Sequence, residues 1–217
     1  MELISVNIGQ ERSIENGKAS GKTGIYKLPV TTPVQITSLG IPGDAISDTK
    51  NHGGPDQAVY VYGALDYAWW SNELGQEVTP GTFGDNLTIG GLESAALSIG
   101  DTLQMGEVVL QVTSPRTPCK TLAARMGDPD FIKRFREAER PGLYCRVLQE
   151  GRVQTGQPVK LDRYGGKTVG VLEMFRDFYE RETTEAEIRR YLAAPIGSRS
   201  RMDKEKQLQK LLAQGTS

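Results

Sequence analysis

The sequence predicts a mainly β domain, built as a barrel or a sandwich, followed by a small helical unit. Glycine and proline are abundant up to about Gly166, and the apolar runs between them are short and often alternate with polar residues. Such runs, closely spaced and separated by turn residues, are typical of all-β folds. From Lys167 onward the apolar residues recur at helical spacing instead. A chain of 217 residues suits one large domain, or one of ~150 residues with an appendage.

Eight strands and two helices are predicted within the β-rich part. The helices are Ala64–Leu74 and Asp130–Glu139, and the second follows Pro129. Because helices and strands do not alternate in tandem, a doubly wound parallel sheet is not expected. The predicted strands are Leu3–Ile8, Pro33–Leu39, Gln57–Tyr62, Asn86–Ile89, Asp101–Met105, Glu107–Ser114, Gly142–Leu148 and Gln157–Leu161.

The last part of the chain is predicted to form three helices within residues 168–213. Thr184 to Glu187 has the pattern of a capping box, which starts a helix, and Met202–Leu212 forms the third helix. We therefore divide the chain into a β-barrel domain of residues 1–165 and a three-helix extension of residues 166–217. The extension is too short to be stable alone. It could be a docking or dimerisation surface, or a cap on the β domain.

Composition excludes several classes of protein. The formal net charge is −1, and no basic patch with interleaved aromatic residues indicates a nucleic-acid partner. The first residues lack a basic region followed by an apolar run, so we do not expect them to be a signal peptide. No stretch approaches the ~20 apolar residues that cross a bilayer. Two cysteines in unlike contexts fit a reducing compartment, so we expect a cytoplasmic protein without a membrane partner.

Protein ligands for chemistry are scarce. The chain has one histidine, His52, and two cysteines. A His-rich zinc site, a pair of histidine ligands on a helix, or an iron–sulfur cluster held by several cysteines cannot be assembled from this set. The chemistry must therefore come from very few protein ligands or from a cofactor.

One segment imitates a phosphate-binding P-loop. Gly17 to Thr23 is one residue short of that motif, and Pro29 and Pro33 follow where the motif needs a helix. No dinucleotide-binding glycine pattern or nucleophile elbow is present either. Lys22 and Thr23, with Lys27 nearby, could still bind an anion through a glycine-rich turn. The sequence alone favours a solvated basic loop.

Cys119 has the surroundings of a reactive or metal-binding thiol. It follows the apolar strand Glu107–Ser114 and two prolines, Pro115 and Pro118, which set a rigid path out of the sheet. Arg116, Lys120 and a helix beginning there would favour the thiolate. A small buried apolar residue is the alternative. By contrast, Cys145 shares a strand face with Leu143 and Val147, so we interpret it as a core residue.

His52 lies on a predicted turn, Asn51 to Asp56, in which Gly53, Gly54 and Pro55 set the backbone. A histidine on such a turn can donate a proton to a ligand while neighbouring amides contact it. A structural histidine is the alternative, and spacing alone does not decide between them.

Three segments together resemble the MOSC domain, the module named after the C-terminal part of molybdenum cofactor sulfurase, and specifically its YiiM-type branch. They are Lys22–Lys27, Asn51–Tyr62 and Ser114–Cys119, in that order. Gly40–Asp44, Phe83–Leu87 and Ile99–Asp101 also resemble that branch. The likeness covers most of residues 20–165, and the final helices resemble the extension of the same branch. Asp85 departs from the pattern, where a glutamate is expected before Asn86.

The resemblance implies a MOSC-type β-barrel with peripheral helices that binds a molybdenum–molybdopterin cofactor. The pterin and oxo groups would fill most of the metal's positions, so the protein need supply one thiolate, which matches Cys119. The resemblance assigns Lys22, Thr23, Lys27 and Arg116 to the pterin phosphate and to cofactor orientation. Residues His52, Gly53 and Asn86 would line the pocket, and His52 would be the proton donor.

The activity that the resemblance implies is reduction of N-hydroxylated compounds, including hydroxylaminopurine-type base analogues. Because no four-cysteine set follows Cys119, electrons would come from a separate donor protein. A homodimer is an open expectation. One alternative is a non-catalytic module that carries molybdopterin or sulfur, and another is an anion-binding protein that has lost the cofactor.

Overall fold

The computed structural model describes residues 1–17, 21–49, 52–180 and 183–214. Twelve strands and six α-helices are present there. The strands are β1 (Glu2–Gly9), β2 (Arg12–Ser13), β3 (Lys22–Thr23), β4 (Lys27–Val30), β5 (Val34–Ile36), β6 (Val59–Gly63), β7 (Leu87–Gly90), β8 (Thr102–Met105), β9 (Val108–Pro115), β10 (Leu143–Gln149), β11 (Gly151–Val153) and β12 (Lys160–Asp162). The helices are α1 (Ala64–Leu74), α2 (Lys120–Met126), α3 (Phe131–Ala138), α4 (Val171–Asp177), α5 (Glu185–Ala193) and α6 (Ser198–Gln214).

One eight-stranded mixed sheet dominates the fold, in the order β12-β8-β9-β10-β6-β7-β1-β4. Its neighbouring strands are antiparallel except β6 and β7, which are parallel. Two small pairs, β11 with β5 and β2 with β3, complete the strand pairing. Each of the eight predicted strands overlaps an observed strand, several of them shorter than predicted, and the architecture is one large mixed sheet with helices.

The predicted closed barrel is not found among the described residues, because the outer strands β12 and β4 are not paired with each other. The sheet curls back without closing. The amide of Leu3 donates to the carbonyl of Gln157, and the amide of Val159 donates to that of Met1. The start of β1 thus meets the segment just before β12. Strand β4, which the sequence did not predict, tolerates Pro29 because it is an edge strand.

The sheet buries apolar side chains on both faces. In β6, Val59 and Val61 belong to an aliphatic core, whereas Tyr60 and Tyr62 belong to an aromatic cluster on the opposite face. This division follows from the alternation of side chains along a strand. The aromatic cluster also contains Trp70 of α1. That cluster forms one wall of the region in which the candidate site lies.

The three predicted C-terminal helices are present as α4, α5 and α6. The capping box is confirmed, since Thr184 and Glu187 exchange side-chain-to-backbone hydrogen bonds at the start of α5. Met174, Tyr191 and Ile196 of this region join the aliphatic core of the sheet. The extension therefore packs on the β domain through a shared core.

Two absences hold for the described part of the chain. No helix there is both long and apolar enough to cross a bilayer. Nor do three His, Cys, Asp or Glu side chains in those ranges come together as a metal-binding group.

Candidate functional site

All eight residues to which the resemblance gave site roles line one cavity. The cavity contains about 710 Å³ of empty space, counting the part open to solvent. Its walls come from the β3–β4 segment, the loop before β6, the loops before β7 and α2, and β10. The eight residues are Lys22, Thr23, Lys27, His52, Gly53, Asn86, Arg116 and Cys119.

Cys119 lies where the sequence predicted, between the end of β9 and the first residue of α2. Its backbone is still extended, with φ −139° and ψ 166°, and its side chain is half-buried. Burial is the largest influence on the thiol and would raise its pKa. A hydrogen bond from His52, the charge of Arg116 and the amide of Leu122 together outweigh burial and lower the pKa of Cys119 to about 6. The thiolate is therefore the main form at neutral pH.

Arg116 is the buried cation beside this thiolate, with 5% of its surface exposed. Its Nη1 donates to the carbonyl of Phe83, and the guanidinium carbon lies 4.9 Å from the centre of the Tyr60 ring. Its buried Nε has no hydrogen-bond partner within the described residues. An unpaired buried donor is costly, so a ligand acceptor at this point would relieve that cost.

His52 contacts both the thiolate and a tyrosine. It lowers the pKa of the Cys119 thiol beside it, and its Nδ1 lies 3.2 Å from the hydroxyl of Tyr144 on β10. Tyr144 in turn packs against Tyr60, with the ring centres 5.1 Å apart. The imidazole is thus held between a strand of the sheet and the beginning of α2.

Lys27 and Asn86 converge on a carboxylate. The ammonium of Lys27, 8% exposed, pairs with Asp44, and the amide of Asn86 donates to the same carboxylate at 2.9 Å. The Asp44 carboxylate also accepts the amide of Gly9 at 2.8 Å. Burial lowers the pKa of Lys27, which the charge of Asp44 opposes. The positive charge of Lys27 is therefore already balanced within the protein.

Lys22 and Thr23 occupy the mouth and wall of the cavity on β3. Lys22 is largely exposed and lies 3.0 Å from Glu11. Thr23 is buried, and its hydroxyl accepts the amide of Ile25 at 3.0 Å. Lys18, Ala19 and Ser20 of the predicted basic loop, and Asn51 of the histidine turn, lie outside the described residues.

Gly53 is buried and has a φ of +74°, a conformation that favours glycine. A Cβ there would lie 3.0 Å from the Cδ1 of Ile46. Gly53 therefore lets the turn that carries His52 lie close against the opposite wall of the cavity.

Among the cavity residues that were not assigned a role from the sequence are Asp44, Tyr60 and Tyr144, whose side chains contact the assigned ones. Each belongs to a segment that the sequence singled out, as a loop or a strand, but nothing local indicated which side chains face the cavity. Asp85, the departure from the family pattern, does not line the cavity. It is fully buried and accepts hydrogen bonds from Tyr67 and Thr88, so its role is structural. Cys145 is buried in the aliphatic core, as predicted.

Chemically, the cavity presents one ionised sulfur, one buried guanidinium and one imidazole. A thiolate is a ligand for soft and intermediate metals and a nucleophile. Since no other thiol lines the cavity, a metal held here would take most of its ligands from a bound group.

The sequence is similar to those of known proteins. The MOSC domain profile matches residues 48–160. The chain is 37% identical over 169 residues to the uncharacterized protein YflK of Bacillus subtilis, covering 78% of this chain and 76% of that protein. It is 31% identical over 162 residues to the protein YiiM of Escherichia coli, covering 73% and 70%.

Two further likenesses concern a larger protein and a solved structure. A protein named reductase from Gibberella moniliformis is 32% identical over 165 residues, which are 73% of this chain but only 29% of that protein. The crystal structure of YiiM from Geobacillus stearothermophilus superposes with a TM-score of 0.79 at 28% identity, covering 95% of this chain and 98% of that one. The fold is therefore shared with that structure over most of the chain.

Proposed function

Because the chain belongs to the MOSC family, we propose that it is a molybdenum-cofactor-dependent oxidoreductase that reduces N-hydroxylated compounds, such as hydroxylaminopurine-type base analogues. The observation that carries the proposal is an ionised thiol, Cys119, in a cavity that also contains His52 and Arg116. The name of the reductase relative supports oxidoreductase activity for the family.

The residues present fit a molybdenum–molybdopterin group. Such a group brings most of its metal's ligands with it, so one protein thiolate suffices. Cys119 supplies that thiolate, and the unpaired Nε of Arg116 supplies a buried donor for an anionic or oxo group. The described residues offer no cluster of three side-chain ligands for a bare ion, which favours a cofactor over a protein-ligated metal.

Cys119 would hold the metal, and Arg116, Lys22 and Thr23 would contact the pterin and its phosphate. Lys27 would contribute less positive charge than the sequence suggested, because Asp44 already pairs with it. Gly53 and Asn86 would shape the wall, Asn86 by fixing Asp44 and by accepting the amide of Tyr60 at 3.1 Å.

When bound, the cofactor supplies the two-electron chemistry that separates oxygen from nitrogen. Overall, an N-hydroxylamine takes up two protons and two electrons, its N–O bond breaks, and an amine and water form. His52 holds a proton at the cavity, within reach of a ligand beside Cys119, and is the general acid of the proposal. Electrons come from a separate donor protein. A cytoplasmic location and a homodimer belong to the same proposal.

A carrier of molybdopterin or sulfur would use the same thiolate without turnover. Both functions require molybdenum to be bound through Cys119. Metal analysis of protein made in a molybdenum-competent host tests this requirement. We expect stoichiometric molybdenum in the wild type, loss in Cys119→Ser, and retention in Cys145→Ala, whose thiol is in the core.

Turnover then separates enzyme from carrier. With an artificial electron donor, the enzyme converts hydroxylaminopurine to aminopurine, and Cys119→Ser does not. If the protein binds molybdenum but converts no N-hydroxylated base, it is a carrier and not an enzyme. Absence of molybdenum from wild-type protein would overturn both.

A further inference from the structure

The turn that carries His52 is fastened to the C-terminal helices. Asp56, four residues after His52, has both carboxylate oxygens engaged. Its Oδ2 accepts the amide of Ser198, the first residue of α6, at 2.7 Å, and its Oδ1 pairs with Arg146 of β10 at 2.9 Å. The carbonyl of Asp56 also accepts the hydroxyl of Thr113 on β9 at 2.6 Å. Asp56 thus joins the turn to the sheet and to α6 at one point.

Arg199, in the first turn of α6, spans the same turn. Its Nη1 donates to the Oε1 of Gln57 at 2.9 Å, and its Nη2 lies 3.5 Å from the carbonyl of Thr49. Thr49 precedes His52 and Gln57 follows it, so one guanidinium contacts both sides of the histidine. Between these points the backbone contains Gly53 and Gly54, both at positive φ. Glycine residues restrict a chain least, so the position of His52 depends on such external contacts.

The start of α6 is itself firmly held. Arg146 donates to the carbonyls of Pro195 and Ile196 at 3.1 and 3.2 Å. Further along α6, Lys204 is 5% exposed and pairs with Asp177 of α4 at 2.7 Å. A helix fixed at both places can hold a turn in one position.

We propose that the C-terminal extension positions the imidazole of His52 at the cavity, through Arg199 and Asp56. Both are positioning residues, because neither side chain touches the thiolate or lines the cavity of Cys119. This assigns the extension a role inside its own subunit. The kinetic consequence rests on the proposed function, whereas the structural consequence does not.

The test compares Arg199→Gln with Arg201→Gln. Arg201 is two residues away on the same helix and donates to the carbonyls of Leu192 and Ala194, so it binds the extension but not the turn. Since the chain has one histidine, the ring signals in an NMR spectrum of histidine-labelled full-length protein belong to His52 without assignment. We expect Arg199→Gln to shift and broaden these signals and Arg201→Gln to leave them at the wild-type positions.

In metal-loaded protein, Arg199→Gln should lower kcat on the order of 10-fold, with KM and molybdenum content unchanged. Arg199→Lys, which keeps the charge and part of the reach, should restore part of that loss. Circular dichroism and thermal unfolding identify a variant that fails to fold. Asp56→Asn then provides a second test, because it disrupts the other contact between the turn and α6.

Identical His52 signals in Arg199→Gln and Arg201→Gln would overturn the inference, whatever the activity. If the wild type proved inactive, the NMR comparison would still decide, so failure of the proposed function and failure of this inference are separable.

Discussion

The Nδ1 of His52 and the hydroxyl of Tyr144 lie 3.2 Å apart, although the two residues are 92 positions apart in the chain. The contact joins the turn that carries the imidazole to β10 of the sheet. The same imidazole lowers the pKa of the Cys119 thiol. Tyr144 therefore helps to hold the imidazole beside the ionised sulfur.

Replacing Tyr144 with phenylalanine should raise the pKa of Cys119 above its value of about 6, because the imidazole loses the hydroxyl that helps to hold it beside the thiolate. The rate of iodoacetamide alkylation of metal-free protein, followed against pH, reports the thiolate fraction. In the wild type the rate should reach half its maximum near pH 6 and stay high as the pH rises. The half-maximum should move to higher pH in Tyr144→Phe and in His52→Ala.

Cys145 provides the control for this measurement, since burial raises its pKa and keeps it protonated. Alkylation of Cys145 in the folded protein should be undetectable under the same conditions. A wild-type half-maximum near pH 8.5, the ordinary value for a cysteine, would contradict the role given to His52 and Arg116.

Local sequence patterns predicted the helices and strands named above, because whether a segment forms a helix or a strand depends largely on the residues within that segment. Helix α1 has the predicted bounds, Ala64–Leu74, and the capping box at Thr184 begins α5. Closure of the sheet could not be predicted in the same way. Closure depends on whether the outer strands β12 and β4 pair with each other. The alternation of polar and apolar residues within one strand does not indicate which strands pair.

The candidate site shows the same limit. Cys119 and His52 were identifiable because each is rare in the chain and lies in a distinctive setting of proline or glycine. Tyr60 was not, because both faces of β6 are buried, and alternation does not tell which face lines a cavity. Asp44 interacts with Lys27 and Asn86, which lie far from it in sequence, so no spacing rule relates them.

The two cysteines should respond oppositely to conversion to serine. Cys145 is fully buried in the aliphatic core, and a hydroxyl there would lack a partner, so Cys145→Ser should lower the free energy of unfolding by about 1–3 kcal/mol. Cys119 is half-buried beside polar groups, so Cys119→Ser should change it by less than about 1 kcal/mol. Urea denaturation of both variants checks this. Equal losses would place Cys119 among core residues.

Gly24 is a position at which the β3–β4 segment lies close to the backbone of Ala45 on the opposite wall. A Cβ there would lie 1.9 Å from the carbonyl oxygen of Ala45, and backbone cannot yield as a flexible side chain can. Gly24→Ala should therefore cost about 1–3 kcal/mol of unfolding free energy and reduce molybdenum binding, because it separates the two walls. Gly165→Ala is the matched control, since a Cβ there has no atom within 4 Å. A Gly24→Ala variant that unfolds and binds metal like the control would contradict the close approach.

Replacing one member of the buried pair Lys27 and Asp44 should lower the free energy of unfolding more than replacing both. Their side chains are 8% and 6% exposed, and a single buried charge without its partner costs about 3–5 kcal/mol. Asp44→Asn should therefore destabilise the protein strongly, while the double variant Lys27→Met with Asp44→Asn should lose less than Asp44→Asn alone. The exposed pair of Lys160 and Asp162, at 2.8 Å, serves as the control, because surface pairs contribute little to stability.

Urea denaturation of Lys27→Met, Asp44→Asn and the double variant measures the coupling energy between the two side chains. Additive losses would mean that the ammonium of Lys27 is not neutralised by Asp44, and its charge would then be available to a bound phosphate.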